Sequence, residues 1–303
     1  MLIAILSRKR SLYSTRRLLE AAAALGRETV VLDPLQCYLV LGRKSPGVFY
    51  RGLEGRLPDI EVAVPRIGAS ITEHGLAVVN QFDMMGVPLI NNSQPIARSR
   101  DKLRALQLLA RADIDIPRTV MARHPSQVHR ALEMVGGAPA ILKLVKGTQG
   151  IGVILGETEQ AVQQVVETFW SLGMNILLQE FVEESEGKDV RALVLGNRVI
   201  TAMRRQARIG EFRSNVHRGA TGVRVDLPEE YARTAVRATR VMGLQLAGVD
   251  MLESRDGPKV IEINSSPGFE GLEKCSDIDI GRVIMEYAIA YARRRQRRRQ
   301  VAS

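Results

Sequence analysis

Three residues late in the chain carry the strongest chemical pattern. Asp250 lies in one strand-like run (247–252), and Glu262 and Asn264 flank Ile263 near the end of the next (259–263). Side chains two apart on a strand point to the same side, so Glu262 and Asn264 face together, and Asp250 on a neighbouring strand can complete the set. Two carboxylates and an amide are hard oxygen donors, the kind Mg²⁺ takes along with water and substrate phosphate. Buried on apolar strands, both acids would need a pairing cation or a metal. The same residues also fit solvent-facing strand ends beside arginines, and the pattern alone leaves both readings open.

Lys143 interrupts an apolar run, AILKLV, and is followed by Gly147, Gly150 and Gly152. An ammonium on such a strand suits a phosphate, and glycines let main-chain N–H groups close over one. A tight hairpin turn explains the glycines equally well, and no GK[ST] completes a Walker A motif. Further on, residues 179–182 change from apolar to acidic and lead to Asp189. An extended backbone there could meet an adenine edge and Asp189 a ribose, or both could be surface loop. Arg213, Ser214, Asn215, His217 and Arg218 form a cationic segment suited to a phosphate or carboxylate clamp. Cys37 has no nearby histidine and apolar neighbours, so it reads as a packed thiol, and Cys275 reads likewise. The four histidines show no zinc spacing.

The elements that must hold these groups alternate early and pair late. Residues 2–6 and 29–32 read as strands around a helix from about 14 to 25, with a third strand at 62–64 and a short apolar segment at 87–90, an order that suits a small parallel α/β unit. A dinucleotide fold is not indicated, since no GxGxxG follows the first strand. Helices at 101–111 and 126–135, strands beginning at 116–117, 140–145 and 153–155, and a helix from Thr158 to about 172 follow. Strands at 189–195 and 198–204 join at Gly196 and Asn197 as a hairpin. A helix over 228–242, the strand pair bearing Asp250 and Glu262, and a last helix over 281–292 complete the pattern: α/β, then α+β with antiparallel hairpins, in two or three lobes.

Composition narrows the class. The 303 residues are 45% apolar and 25% charged, which excludes disorder as the main state, and no apolar stretch is long enough to span a membrane. Two cysteines exclude a disulfide scaffold, and an apolar start followed by charges is the reverse of a secretory signal, so a cytoplasmic protein is expected. The net charge is +10, and six of those charges sit at Arg293, Arg294, Arg295, Arg297, Arg298 and Arg299. That tail is either a solvated end or a contact for a polyanion. With 4% aromatics, base-stacking surfaces are not expected.

Together these passages resemble the ATP-grasp superfamily and, within it, the bacterial RimK-type glutamate ligases that extend the carboxyl terminus of a small-subunit ribosomal protein. The resemblance runs over residues 1–292 and is carried by LDPLQCY, PRIGASIT, ARSRDKLRALQLLA, VGGAPAILKLVKGTQGIGV, GEFRSNVHRGA, AGVDML and VIEINSSPGFEGLE. It implies an ATP-grasp fold behind an amino-terminal Rossmann-like (pre-ATP-grasp) domain over 1–95, a first lobe with central subdomain over 96–178, a carboxy-terminal lobe over 179–292 and a basic tail over 293–303.

The resemblance also implies roles. Lys102 and Lys143 would contact phosphates, and Gly147, Thr148, Gln149, Gly150, Ile151 and Gly152 would form the loop over the triphosphate. Glu180 and Phe181 would meet adenine, and Asp189 the ribose. Arg213, Ser214 and Asn215 would contact nucleotide and acyl phosphate. Asp250, Glu262 and Asn264 would hold two Mg²⁺ or Mn²⁺ ions. Arg204, Arg213 and Arg66 are candidates for gripping the acceptor carboxylate or the incoming L-glutamate. The implied reaction passes through an acyl phosphate on a ribosomal small-subunit protein. A ligase adding glutamate or another amino acid to a carrier protein, a small acyl acceptor or free polyglutamate is the alternative, and a non-catalytic RNA-binding module the alternative from another class. The tail would touch ribosomal RNA or an acidic polyglutamate chain, no membrane partner is expected, and a homodimer or homotetramer is.

Overall fold

A computed structural model describes residues 2–42, 47–53, 57–122, 124–145, 152–208 and 221–302. The chain opens with β1 (Leu2–Leu6), α1 (Tyr13–Ala24) and β2 (Glu28–Leu32), makes a small antiparallel hairpin of β3 (Cys37–Val40) and β4 (Gly47–Tyr50), and returns as β5 (Val62–Pro65). β2, β1 and β5 form a parallel sheet in that order. The alternation of strand side chains divides β1 between two cores: Ile3 and Ile5 pack with α1, Ala4 and Leu6 with the opposite helical layer. That layer is α2 (Thr72–Met84) and α3 (Ser93–Arg100), followed by α4 (Lys102–Arg111). Helix α3 has no counterpart in the sequence reading. Pro95 sits in its first turn, where a missing N–H costs no intrahelical bond.

The middle of the chain builds β6 (Thr119–Ala122), α5 (Val128–Val135), β7 (Ala140–Leu144), β8 (Val153–Gly156), α6 (Glu159–Ser171) and β9 (Ile176–Glu180). Its antiparallel sheet runs β6-β9-β7-β8, with α5 and α6 packed over Ala140, Leu142, Ile176 and Leu178. Residues 116–117, expected to begin a strand, lie before it. Pairing starts at Thr119 opposite Gln179, and Pro117 has no N–H to give a ladder.

A second antiparallel sheet has the order β12-β11-β10-β13-β14. It consists of β10 (Lys188–Leu195), β11 (Arg198–Gln206), β12 (Thr221–Arg224), β13 (Leu246–Ser254) and β14 (Gly257–Asn264), with α7 (Glu229–Met242) between β12 and β13. Val190, Ala192, Val194, Val249 and Met251 face α4 and α7. Leu193, Leu195 and Met203 face the other way, into one core with α8 (Glu270–Cys275), α9 (Ile280–Ala302), α1 and the parallel sheet. The last helix does not stop near 292 but continues through the arginines. Arginine is a good helix former, and cations near a helix C-terminus offset its dipole. Among the described residues no helix is long and apolar enough to cross a membrane.

Candidate active site

β13 and β14 pair so that Asp250 lies directly opposite Glu262, with Asn264 two residues further along and its Nδ2 3.5 Å from Asp250 Oδ2. Asp250 is 2% exposed and would be costly there alone. Its neighbours across the ladder are cations. Arg191, its register partner on β10, donates from Nε to Oδ1 at 2.6 Å and from Nη2 to Oδ2 at 2.5 Å. Arg205 of β11 approaches Oδ2 at 3.1 Å and also grips Asp189 through Nε at 2.6 Å and through Nη2. Burial pushes the Asp250 carboxyl up, but the two guanidinium groups outweigh it and hold it low.

The other wall comes from the first antiparallel sheet and α4. Lys143, on β7, donates to Gln179 Oε1 at 2.5 Å, and Gln179 in turn donates to Thr119. Lys102 opens α4, above its capping Asp101, and reaches Leu144 O at 3.0 Å. Both ammonium groups feel Glu262. Burial drives the Lys143 pKa down to about 8 against the pull of Glu262, with Lys102 adding to the fall. Lys102 is lowered by burial too. Glu262 keeps much surface open to water at the mouth, yet protein surrounds it on the inner side, and that burial together with Asp250 pushes its carboxyl up.

Glu180, at the end of β9, stands between the two sheets. Its carboxylate accepts from the Arg118 N–H at 2.9 Å, and Lys259 of β14 lies at 3.6 Å. These contacts outweigh the upward push of burial and hold it low. Phe181 is half-buried beside it. Gly152 and Leu144 close the β7–β8 hairpin through Leu144 N–H to Gly152 O at 2.9 Å. Gly147, Thr148, Gln149, Gly150 and Ile151, and likewise Arg213, Ser214, Asn215, His217 and Arg218, lie outside the described residues.

The structure thus gathers Lys102, Lys143, Asp250, Glu262 and Asn264, with Glu180 and Phe181 at the junction. Of the other described candidates, Asp189, Arg204 and Arg66 are held in contacts of their own. Asp189, expected at a ribose, is 3% exposed with both oxygens on Arg205, so in place of a sugar it has a buried ion-pair partner. Arg204 points to the opposite face of its strand and pairs bidentately with Glu253 at 2.8 and 2.6 Å, so its expected grip on a substrate carboxylate has no geometric support. Arg66 is buried at the end of β5, donates to Pro267 O at 2.6 Å in the loop after Asn264, and lies over Phe269. Its Nε and Nη1 have no partner, and burial drives its pKa down to about 10. Arg191 and Arg205 are the contributors that the sequence did not assign, and Gln179, expected at an adenine edge through its backbone, contributes its side chain to Lys143. Cys37 is the packed thiol expected, raised to about 12 chiefly by burial.

Glu262 and Asn264 present donors of the kind a hard divalent ion takes, and an ion there would share Asp250 with Arg191 and Arg205, which already donate to both its oxygens. Among the described residues no group of three His, Cys, Asp or Glu side chains is placed to hold a metal ion, and two carboxylates and one amide are the donors at this point. A set that small leaves coordination positions to water and phosphate, as Mg²⁺ prefers.

Comparison with known proteins gives the family and the fold. Residues 1–96 match the RimK PreATP-grasp domain family and residues 99–288 the RimK-like ATP-grasp domain family. A probable alpha-L-glutamate ligase of Vibrio vulnificus (strain YJ016) is 52% identical over 287 residues, 95% of each chain. Probable alpha-L-glutamate ligase 1 of Shewanella denitrificans is 51% identical over 287 residues, 95% of this chain and 97% of that one. Among solved structures, the ATP-grasp ligase PsnB with its minimal precursor superposes with a TM-score of 0.75 at 23% identity, covering 96% of this chain and 98% of that one. The macrocyclase MdnC of Microcystis aeruginosa MRC, bound to precursor peptide MdnA, superposes at 0.73 with 16% identity, covering 95% and 99%. At those identities the likeness is one of fold.

Proposed function

The chain belongs to the RimK-like ATP-grasp family and is an ATP-dependent acid–amino-acid ligase, and on that premise we propose that it joins L-glutamate to a carboxylate of a peptide acceptor. The observation that carries the reading is the convergence of Lys102 and Lys143 from one lobe on Asp250, Glu262 and Asn264 from the other. A terminal or glutamyl carboxylate attacks the γ-phosphorus of ATP, giving an acyl phosphate and ADP. The amino group of glutamate attacks the acyl carbon, an amide forms and phosphate leaves.

In this scheme the chain's own groups act as fixed charges. Lys102 and Lys143 bind phosphate oxygens and offset the charge that builds on them. Gln179, anchored on Thr119, aims the Lys143 ammonium, and Arg118 and Lys259 hold Glu180 at the adenine edge with Phe181 beside it. Asp250, Glu262 and Asn264 would hold Mg²⁺ or Mn²⁺, which when bound polarises phosphate oxygens. Arg191 and Arg205 fix Asp250 in one orientation. Residues 147–152 and the segment Arg213, Ser214 and Asn215 complete the nucleotide and acyl-phosphate contacts in this reading.

The acceptor is a peptide end. Two fold neighbours were solved with precursor peptides in place, which favours a chain over a small acyl acceptor. The ribosomal small-subunit protein is the narrower candidate, resting on the sequence resemblance. The test is to incubate the protein with ATP, Mg²⁺, L-glutamate and, separately, glutamate-ended peptides and the small-subunit protein, and to read acceptor mass. Increments of one glutamyl residue, absent with Asp250→Ala, are expected. Gain on peptides but none on the ribosomal protein retires the narrower acceptor. ADP release with no gain on any acceptor retires the substrate class.

A further inference from the structure

α1 and α9 lie side by side in the same direction, with Gly281 against the Arg17 carbonyl at one end and Leu25 beside Ile289 at the other. At that second end they enclose a groove of about 390 Å³. Leu25, Ile289 and Ala290 line it with apolar surface, and Arg27, Arg293, Arg294 and Arg297 surround that surface with positive charge. We propose that this groove is a docking site for an acidic, glutamate-rich peptide, including the chain that the enzyme itself extends. The identity of that chain rests on the glutamate-ligase reading above.

The charges there are uncompensated. Glu286 is the one acid lining the groove, and it is engaged by Arg282 at 2.9 Å. Among the described residues none of the four lining arginines meets a carboxylate, and the Arg27 Nε is buried without any partner. Guanidinium forks match carboxylates two bonds at a time, and the apolar surface suits glutamate methylenes. The lining residues include no aromatic ring to stack a base, and nearby Tyr287 is covered by Arg294 at 5.6 Å, which favours a peptide over a nucleic acid. The volume, near the lower end for binding pockets, takes a short segment and not a folded domain.

The groove is remote from the cleft. The first turn of α1 lies beside Phe269, in the loop after Asn264, and the groove lies at its far end. Twelve helical residues span about 18 Å. An extended chain covers about 3.3 Å per residue, so roughly six residues must leave the cleft before the groove can hold them. Short acceptors gain nothing from it, and longer ones stay attached between additions.

The test uses the full chain without nucleotide and a fluorescein-labelled decaglutamate peptide, read by anisotropy. Binding should weaken with salt, fall about tenfold in R293Q/R294Q/R297Q, as three exposed charge pairs imply, and persist in Asp250→Ala. Glutamine keeps the helix, and Arg27→Gln on the opposite wall should weaken binding too. Undiminished binding in both variants overturns the proposal. So does tighter, groove-dependent binding of an oligouridylate of equal length, which would give the groove to nucleic acid. Ligation to a two-residue acceptor, assayed separately, should be unchanged in the triple variant. Failure of ligation in every variant, wild type included, would strike the catalytic reading and leave the binding result standing.

Discussion

Two demands act on the Lys143 ammonium. Burial drives its pKa down to about 8 while Glu262 pulls it back up, and a phosphate needs it charged. The protonated form therefore prevails below pH 8 and is lost above it. Nucleotide affinity should fall about tenfold between roughly pH 7 and pH 9, and calorimetric titration of ADP should show Lys143→Arg flattening that slope. Lys143, Glu262, Asp250 and Asn264 are legible in the sequence because strand alternation fixes which residues share a face. The arginines that neutralise Asp250 are not legible in that way. Counting outward from the Gly196–Asn197 turn pairs Leu195 with Arg198 and would set Arg204 opposite Asp189. A bulge between Leu193 and Val194 shifts the register by one, so Arg205 faces Asp189 and Arg204 is turned away.

Elements show the same division between local and distant causes. The β7–β8 hairpin is written into its glycines. Gly152 has φ +80°, and a Cβ there would sit 2.7 Å from Leu144 Cδ1. Gly152→Ala should therefore loosen the hairpin by about 1–2 kcal/mol, seen as faster hydrogen exchange at the Leu144 amide that bonds Gly152 O. Most strands of both antiparallel sheets are readable from apolar runs and turn residues, β12 with its four exposed residues and the start of β6 being the exceptions, and Thr158 caps α6 as its side chain suggests. The β3–β4 hairpin was not readable: its strands are four residues each, too short for alternation to stand out. The six-residue α8 is likewise held by tertiary contacts, with Leu272 buried in the shared core and Glu273 accepting from Tyr13 at 2.7 Å and Arg17 at 3.0 Å.

At the scale of the molecule, the parallel sheet and the last lobe share one apolar core, and a single amide joins their main chains. Asn91 donates from Nδ2 to Leu246 O at 2.8 Å and Ser265 O at 2.9 Å, and its Oδ1 accepts from Gln245 N at 2.6 Å and Leu246 N at 3.0 Å. Asn91→Ala takes this partner from three buried main-chain groups and from the half-buried Gln245 N–H. It should cost about 3 kcal/mol or more in urea unfolding, and one concerted transition for both halves is the expected trace. No spacing rule foretells such a clamp, because its partners lie more than 150 residues away. The packing of α1 against α9 carries a consequence for biosynthesis. Leu18, Ala21 and Ala22 of α1 are covered by Ile284, Met285 and Ala288 of α9, and at about 5–20 residues per second the ribosome delivers that cover tens of seconds after α1 has emerged. The nascent chain must wait with its first helix bare, so chaperone occupancy on its opening domain should end only when the arginine-rich helix clears the exit tunnel.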